Sequence, residues 1–570
     1  MNNARSFLWI ALAALGFLLW NAWQNDYQRP QPAAPSASST AQPAAAPIPS
    51  DADLPSATSA PAAVGPTDAA VAVTAADAQP EAAADSIVVR VVSDVLELEI
   101  DTRGGTLTRA NLRQYPVKAG EATPTVQLFA GSGDQYFVAQ SGLVSSSSPA
   151  PDHRSVYTAA RREYRLGEGE DRVEIPLTWS RDGVTVTKTF TLKRGDYTVA
   201  VATRIDNAAA AEWSASAYTQ LTRTSPIVNR KFSFTNPDQY SFVGAAWFSP
   251  EEKFEKLAFD DFAEEPLSRT ITGGWAAQQQ HYFFAAWIPD AREPQAYSTA
   301  VLTDQGAPRY LIRQVGPALK VAAGASTTSS AQLYVGPKQQ EKLDAIAPGL
   351  GLTIDYGKVT IFAKPVFWLL NTLHKLVQNW GFAIILTTLL VKLLLYPLSE
   401  AQYRSMAKMR KVQPRIEALK QRYGEDKQKF NQAMMELYGK EKINPVGGCL
   451  PLLLQFPIFI ALYWVLLESV ELRHAPFVGW LTNLSAHDPY FVLPVLNAAI
   501  MWVTQKMSPA PAGMDPLQQK VLQYMPLVFS VMMAFFPAGL VLYWSVNGAL
   551  GLAQQWVITR RIEAGEKKAA

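Results

Sequence analysis

The chain has 570 residues, with 51 basic and 49 acidic side chains and 48% hydrophobic residues, too long for a single domain. A formal net charge of +2 excludes a nucleic-acid binder recruited by a net field. The single cysteine, Cys449, excludes an internal disulfide, and its apolar surroundings suit a small buried hydrophobe.

At the start of the chain, Arg5 precedes an apolar run that ends at Trp20, with Trp23 just beyond. One basic residue before such a run also opens secretory signals. Bulky tryptophans with no small-x-small cleavage site after them favour an uncleaved transmembrane anchor over residues 1–27. Residues 28–84 are rich in Ala, Pro and Ser. That composition cannot bury enough apolar surface to offset its ordering entropy, so a disordered tether is expected.

From residue 85 the texture becomes strand-like. Residues 95–100 alternate apolar with acidic, and 184–192 and 197–205 alternate on either side of a hairpin-type connection at 193–196. Helical patterns are scarce before Gln339, so residues 85–345 read as one all-β sandwich domain. Residues 346–380 mix apolar positions with Lys364, His374 and Lys375, the pattern of a helix lying in the membrane interface.

Residues 381–561 read as a membrane core. Spans are expected at 381–398, about 449–467 and about 490–505. The stretch 521–556 is too long for one helix and is divided at Pro537-Ala538-Gly539 into two. With the anchor, the fold class is a multi-domain membrane protein of six transmembrane helices plus an all-β domain, ending in a tail at 562–570.

Between residues 399 and 445, eleven basic residues, among them Arg404, Lys408, Arg410, Lys411 and Arg415, stand against six acids. Lys506 and Lys520 flank a second loop, and Arg560 and Arg561 lie near the end. The positive-inside rule assigns all three segments to the cytoplasm. Counting spans back then puts both termini inside and the β domain outside. Val412, Ile416 and Leu419, then Phe430, Met434 and Leu437, repeat at helical spacing about Gly424, so 399–445 is expected to be an antiparallel helical hairpin. Its basic face serves topology and contact with anionic lipids, or docks ribosomal RNA.

Lys392 stands inside the apolar run 381–398. An ionisable side chain in a span costs roughly 2.5 kcal/mol or more, so it usually has a partner or a task. On its own it reads equally well as a lysine snorkelling past Leu398 to the interface. No two of the five histidines lie at metal-ligand spacing and no nucleotide loop appears, so neither metal nor cofactor is expected. An ion or solute transporter and a membrane-tethered sugar-binding or isomerising protein are the alternatives. The first needs inverted repeats and the second a catalytic spacing, and the sequence displays neither.

Three strings carry a family resemblance: YPLSEAQYRSMAKMRKVQP at 396–414, NPVGGCLPLLLQFP at 444–457 and FPAGLVLYW at 536–544. Together they closely resemble the YidC family of bacterial inner-membrane protein insertases, over about residues 359–561, and the outer domain and tether look like its Gram-negative form. The resemblance implies a periplasmic β-supersandwich similar to sugar mutarotases. It also implies five core helices around a hydrophilic groove, and an insertase and chaperone rather than an enzyme. Lys392 matches the family's basic groove residue, commonly arginine, and so keeps the charge without the bidentate fork. Thr388 matches a groove threonine, and Tyr543 and Trp544 an aromatic pair. Gln455 is a further polar candidate, readable equally as a helix–helix hydrogen bond. The partners implied are nascent membrane proteins, the Sec translocon with its accessory proteins, a ribosome at the cytoplasmic loop and tail, and anionic lipids.

Overall fold

The computed structural model describes residues 54–55, 86–226, 241–303, 306–423, 426–441, 450–507, 524–525 and 528–569. The expected anchor at 1–27, nearly all of the expected tether, and Cys449 lie outside the described residues.

Residues 88–337 form two antiparallel-rich sheets of ten and nine strands. Strand Val184–Lys193 shows why they stack. Val184, Val186, Lys188, Phe190 and Leu192 all point inward, and the threonines between them point out. It pairs antiparallel with Thr198–Asn207, Val199 opposite Leu192, around Gly195 in the left-handed region at φ 71°. Period-two alternation thus delivers one apolar face per sheet, and the two faces bury Trp275, Trp287, Tyr297, Phe190 and Phe284 between them. Lys188 is the exception on the inner face. Its ammonium donates to the carbonyls of Gly104 at 2.6 Å and Ser141 at 2.8 Å, so the buried charge is hydrogen-bonded. Gly104 has φ 71°, and a Cβ there would fall 2.3 Å from the His153 carbonyl oxygen, so that turn admits only glycine.

After the sandwich come α1 (Gln340–Ile346), α2 (Thr360–Val377) and α3 (Trp380–Leu394). Next are α4 (Tyr396–Tyr423), α5 (Lys427–Lys440), α6 (Leu450–Glu468), α7 (Val492–Met507) and α8 (Ala538–Ala569). On α2, Ala363, Phe367 and Leu370 are buried while Ile361, Phe362, Trp368 and Leu376 are exposed, an amphipathic pattern. Gln378, left-handed at φ 53°, ends it. Asn379 then caps α3, its side chain accepting from the Phe382 N–H at 3.1 Å. A Cβ on Gly381 would lie 2.0 Å from the Phe477 ring, so the missing side chain is what lets α3 seat against that loop.

The run 381–398, expected as one crossing helix, is broken. α3 ends at Leu394, and α4 leaves at 68° to it. Pro397 has no N–H to give the Leu393 carbonyl, and its ring crowds the preceding turn. Among the described residues no single helix is long and apolar enough to cross a membrane; α3 and α4 pass that test only as a bent pair. Near the end, residues 528–533 are helical, the chain turns at 534–537, and α8 begins. One continuous set of packed apolar side chains joins the sandwich to α2, α3, α6 and α8.

Candidate functional site

α3 and α8 run side by side in the same direction. A Cβ on Gly539 would lie 3.6 Å from Ile384 Cδ1, and one on Gly551 would lie 3.7 Å from Lys392 Nζ. Lys392 is 8% exposed, enclosed by protein instead of reaching outward. The same spot on Gly551 is 3.4 Å from the Tyr403 hydroxyl, which donates to the Gly551 carbonyl at 3.0 Å. Gln554, on the next turn, donates Nε2 to the Lys392 carbonyl at 3.5 Å, and its Oε1 is buried without a hydrogen-bond partner. Among the described residues no carboxylate pairs with Lys392.

Thr388 is buried one turn before Lys392, its hydroxyl donating back to the Ile384 carbonyl at 2.7 Å. Thr387 beside it has a buried hydroxyl with no partner. Tyr543 and Trp544 lie at a different level of α8. Phe459 on α6 stacks on Trp544 at 4.9 Å and 9°, and on Tyr543 at 6.1 Å, while Phe529 approaches Trp544 at 5.0 Å. Tyr543 precedes Gly551 by eight residues, about 12 Å of helical rise. The structure therefore groups Lys392 and Thr388 on the α3 face toward α8, and groups the aromatic pair with α6. Gln455 lies within α6, and its side chain is outside the described residues.

On the hairpin, Arg404 pairs with Glu400 at 2.7 Å and Arg415 with Glu441 at 2.6 Å. Lys408, Arg410 and Lys411 are exposed. Val412, Ile416 and Phe430 form a small core between α4 and α5, and Asp426 caps α5 by accepting from Lys429 N–H at 3.0 Å.

Sequence reasoning missed Tyr403, Gly551 and Gln554; the only local signal was a glycine within an apolar helix. It also missed a polar joint between sandwich and helices. The His281 imidazole meets the Leu467 carbonyl at 3.1 Å and the Glu468 carboxylate at 3.7 Å. Lys338 is fully enclosed nearby, and burial pulls its amine down to about 8. Burial pushes Glu471 up to about 7; its Oε1 accepts from the Gln340 N–H at 3.1 Å and its Oε2 has no partner. These partners are more than a hundred residues apart, so no spacing announces them. Among the described residues no group of three or more histidine, cysteine or acidic side chains is placed to hold a metal ion.

A family model described as YidC periplasmic domain matches residues 88–369, and one described as 60Kd inner membrane protein matches 372–567. The membrane protein insertase YidC of Thioalkalivibrio sulfidiphilus is 46% identical over 578 residues, covering 100% of each chain. That of Methylococcus capsulatus is 46% identical over 572 residues, again 100% of each. A crystal structure of an active YidC insertase with its first transmembrane domain resolved is 20% identical, covers 83% of this chain and 92% of that one, and gives a TM-score of 0.37. Two family models that together span most of the sequence, and relatives this similar over their whole length, make the chain a member of the YidC family of inner-membrane proteins with a periplasmic domain.

Proposed function

We propose that this chain inserts membrane proteins into the bacterial inner membrane and assists their folding, and that Lys392 on the α3–α8 face receives acidic parts of the incoming chain. The observation that carries the reading is Lys392 itself: a cation 8% exposed, with the Tyr403 hydroxyl and the Gln554 amide beside it and no carboxylate partner among the described residues. Carrying a hydrophilic tail across an apolar slab costs several kcal/mol per unsatisfied polar group. A cation partway along offsets part of that cost, because its attraction for a carboxylate grows as the local dielectric falls. A single charge also lets the tail go. Partition of the hydrophobic segment into lipid, the membrane potential or a partner supplies the drive. Thr388 extends the polar strip one turn, while Tyr543, Trp544 and Gln455 border the exit toward α6.

In this reading the chain crosses the membrane six times, through the anchor at 1–27, residues 381–398 (α3 and the first residues of α4), α6, α7, the segment before Pro537 and α8. The tether spans 28–84, the periplasmic sandwich 85–345 and the interfacial helix 346–380. The insertase core spans 381–561 and the cytoplasmic tail 562–570, so both termini are cytoplasmic. Support comes from cations over tryptophan rings, Lys506 over Trp502 at 3.8 Å at the end of α7 and Arg560 over Trp556 at 4.1 Å in the second half of α8, the arrangement of a cytoplasmic headgroup belt. The hairpin bearing Arg404, Lys408, Arg410, Lys411 and Arg415 would meet anionic lipids and the ribosome, and the Sec translocon with its accessory proteins would work beside the core.

Reconstitution into liposomes tests this reading. Lys392→Arg is expected to insert a substrate with an acidic translocated tail, and Lys392→Glu to lose at least tenfold in rate. Full activity of the glutamate variant refutes the role given to the charge.

A further inference from the structure

The sandwich contains a cavity of about 570 Å³, lined by residues of the sandwich. Its wall includes Arg223, on the strand Trp213–Thr224 of the ten-stranded sheet, together with Gln127, Ser132, Asp134, Phe137 and Gln280. Arg223 is 5% exposed. Its guanidinium lies over the Phe137 ring, 4.6 Å from the centroid, and 5.9 Å from that of Phe259. Phe137 sits directly opposite it in the register of the neighbouring strand, so the stacking follows from the sheet itself. The Nε and Nη1 atoms are buried with no hydrogen-bond partner. Among the described residues no carboxylate pairs with the group, and burial pulls it down only to about 10, so it stays charged at neutral pH.

An arginine held this way is an anomaly for a purely structural role. Lys188, another enclosed cation of the sandwich, donates to two carbonyls. Arg223 stacks on an aromatic face but leaves donors unused, and an uncompensated buried charge is costly. We propose that this cavity is a ligand site in which Arg223 binds a carboxylate. The guanidinium attracts a carboxylate through charge-assisted N–H donation. A monoanion fits better than a phosphate dianion, because among the described residues the wall offers one cation, and Asp134 adds a negative charge. The amides of Gln127 and Gln280 and the hydroxyl of Ser132 suit a ligand that also carries hydroxyls or amides. Two sources share that chemistry, an acidic sugar and a glutamyl peptide.

The test is calorimetric titration of the full-length protein in nanodiscs with glucuronate, with a capped tetraglutamate peptide and with inorganic phosphate. Saturable binding of glucuronate or of the peptide, weakened at least tenfold in Arg223→Gln, supports the site, and the arm that binds names the source. Arg223→Gln removes an uncompensated charge, so it is expected to melt no lower than the parent. Should it misfold, Gln280→Leu, on a different segment of the wall, is expected to weaken the same probe at least threefold. Absence of saturable binding by both carboxylate probes overturns the proposal. So does phosphate binding as tightly as they do, or carboxylate affinity unchanged in whichever variant folds.

Discussion

The imidazole of His281, in the sandwich, donates to the carbonyl of Leu467, on the last turn of α6, across 3.1 Å. Both ends are buried, and the Glu468 carboxylate lies 3.7 Å from the same nitrogen with 3% of its side chain exposed. Taking away the ring strands a carbonyl and a carboxylate in the joint. His281→Ala is therefore expected to destabilise the protein by about 2 kcal/mol, the usual cost of an orphaned buried acceptor. Thermal unfolding in nanodiscs reads this directly, and an unshifted melting temperature would mean the contact contributes nothing.

Glu471 makes the same joint sensitive to pH. Its folded-state value is raised to about 7 from an ordinary 4.5 because burial disfavours the carboxylate. Between those two values the folded protein holds a proton that the unfolded chain has released. Stability from this group is thus fully present below about 4.5, falls as pH rises, and is gone above about 7. The shift amounts to about 3 kcal/mol at most. Glu471→Gln keeps an acceptor for the Gln340 N–H and cannot ionise. Its unfolding free energy is expected to exceed the parent's above pH 7 and to lose that part of the slope below it. Parallel pH profiles for parent and variant would contradict this.

Gly551 leaves the room in which the Lys392 ammonium ends. A methyl group there would be in ordinary contact, 3.4 Å from the Tyr403 hydroxyl and 3.7 Å from Nζ. Gly551→Ala is accordingly expected to keep insertion within about twofold. Gly551→Leu fills the space and pushes the ammonium aside, at a typical overpacking cost of about 1–3 kcal/mol, so at least a tenfold loss in insertion rate is expected. Equal rates for the two variants would show that the space beside Lys392 does not matter.

Residues with a local rhythm were readable in advance. The alternation at 184–205 builds two paired strands, and Val412, Ile416 and Leu419 are the face α4 turns toward α5. The turn at Pro537 follows from a residue that cannot continue a helix. The break at Leu395 was harder to see, because the apolar run continues through Pro397 and hydropathy carries no information about direction. His281, Glu471 and Arg223 were opaque for another reason. Each draws its environment from segments far away in the chain, and a histidine, a glutamate or an arginine looks the same in sequence whether its partner is water, a carbonyl or nothing.

The hairpin offers a charge test that separates its two expected roles. Arg404 pairs with Glu400 at 2.7 Å and Arg415 with Glu441 at 2.6 Å, and the side chains of Arg410 and Lys411 are exposed on the same helix. Reversing the exposed pair, Arg410→Glu with Lys411→Glu, leaves the Val412–Ile416–Phe430 core untouched, so α4 and α5 stay folded by circular dichroism. A basic residue near an anionic surface contributes about 1 kcal/mol. Losing two such attractions is expected to weaken association of the hairpin face with its partner about thirtyfold at low salt, and less at high salt as screening shortens the reach of the field. Co-sedimentation of the nanodisc-embedded protein with ribosomes reads one role, and fluorescence quenching of a hairpin label by anionic against neutral lipid discs reads the other. A drop confined to the ribosome arm assigns the face to docking, and a drop confined to the lipid arm assigns it to the membrane surface. No drop in either means that these two charges serve only to hold the loop on its side of the bilayer.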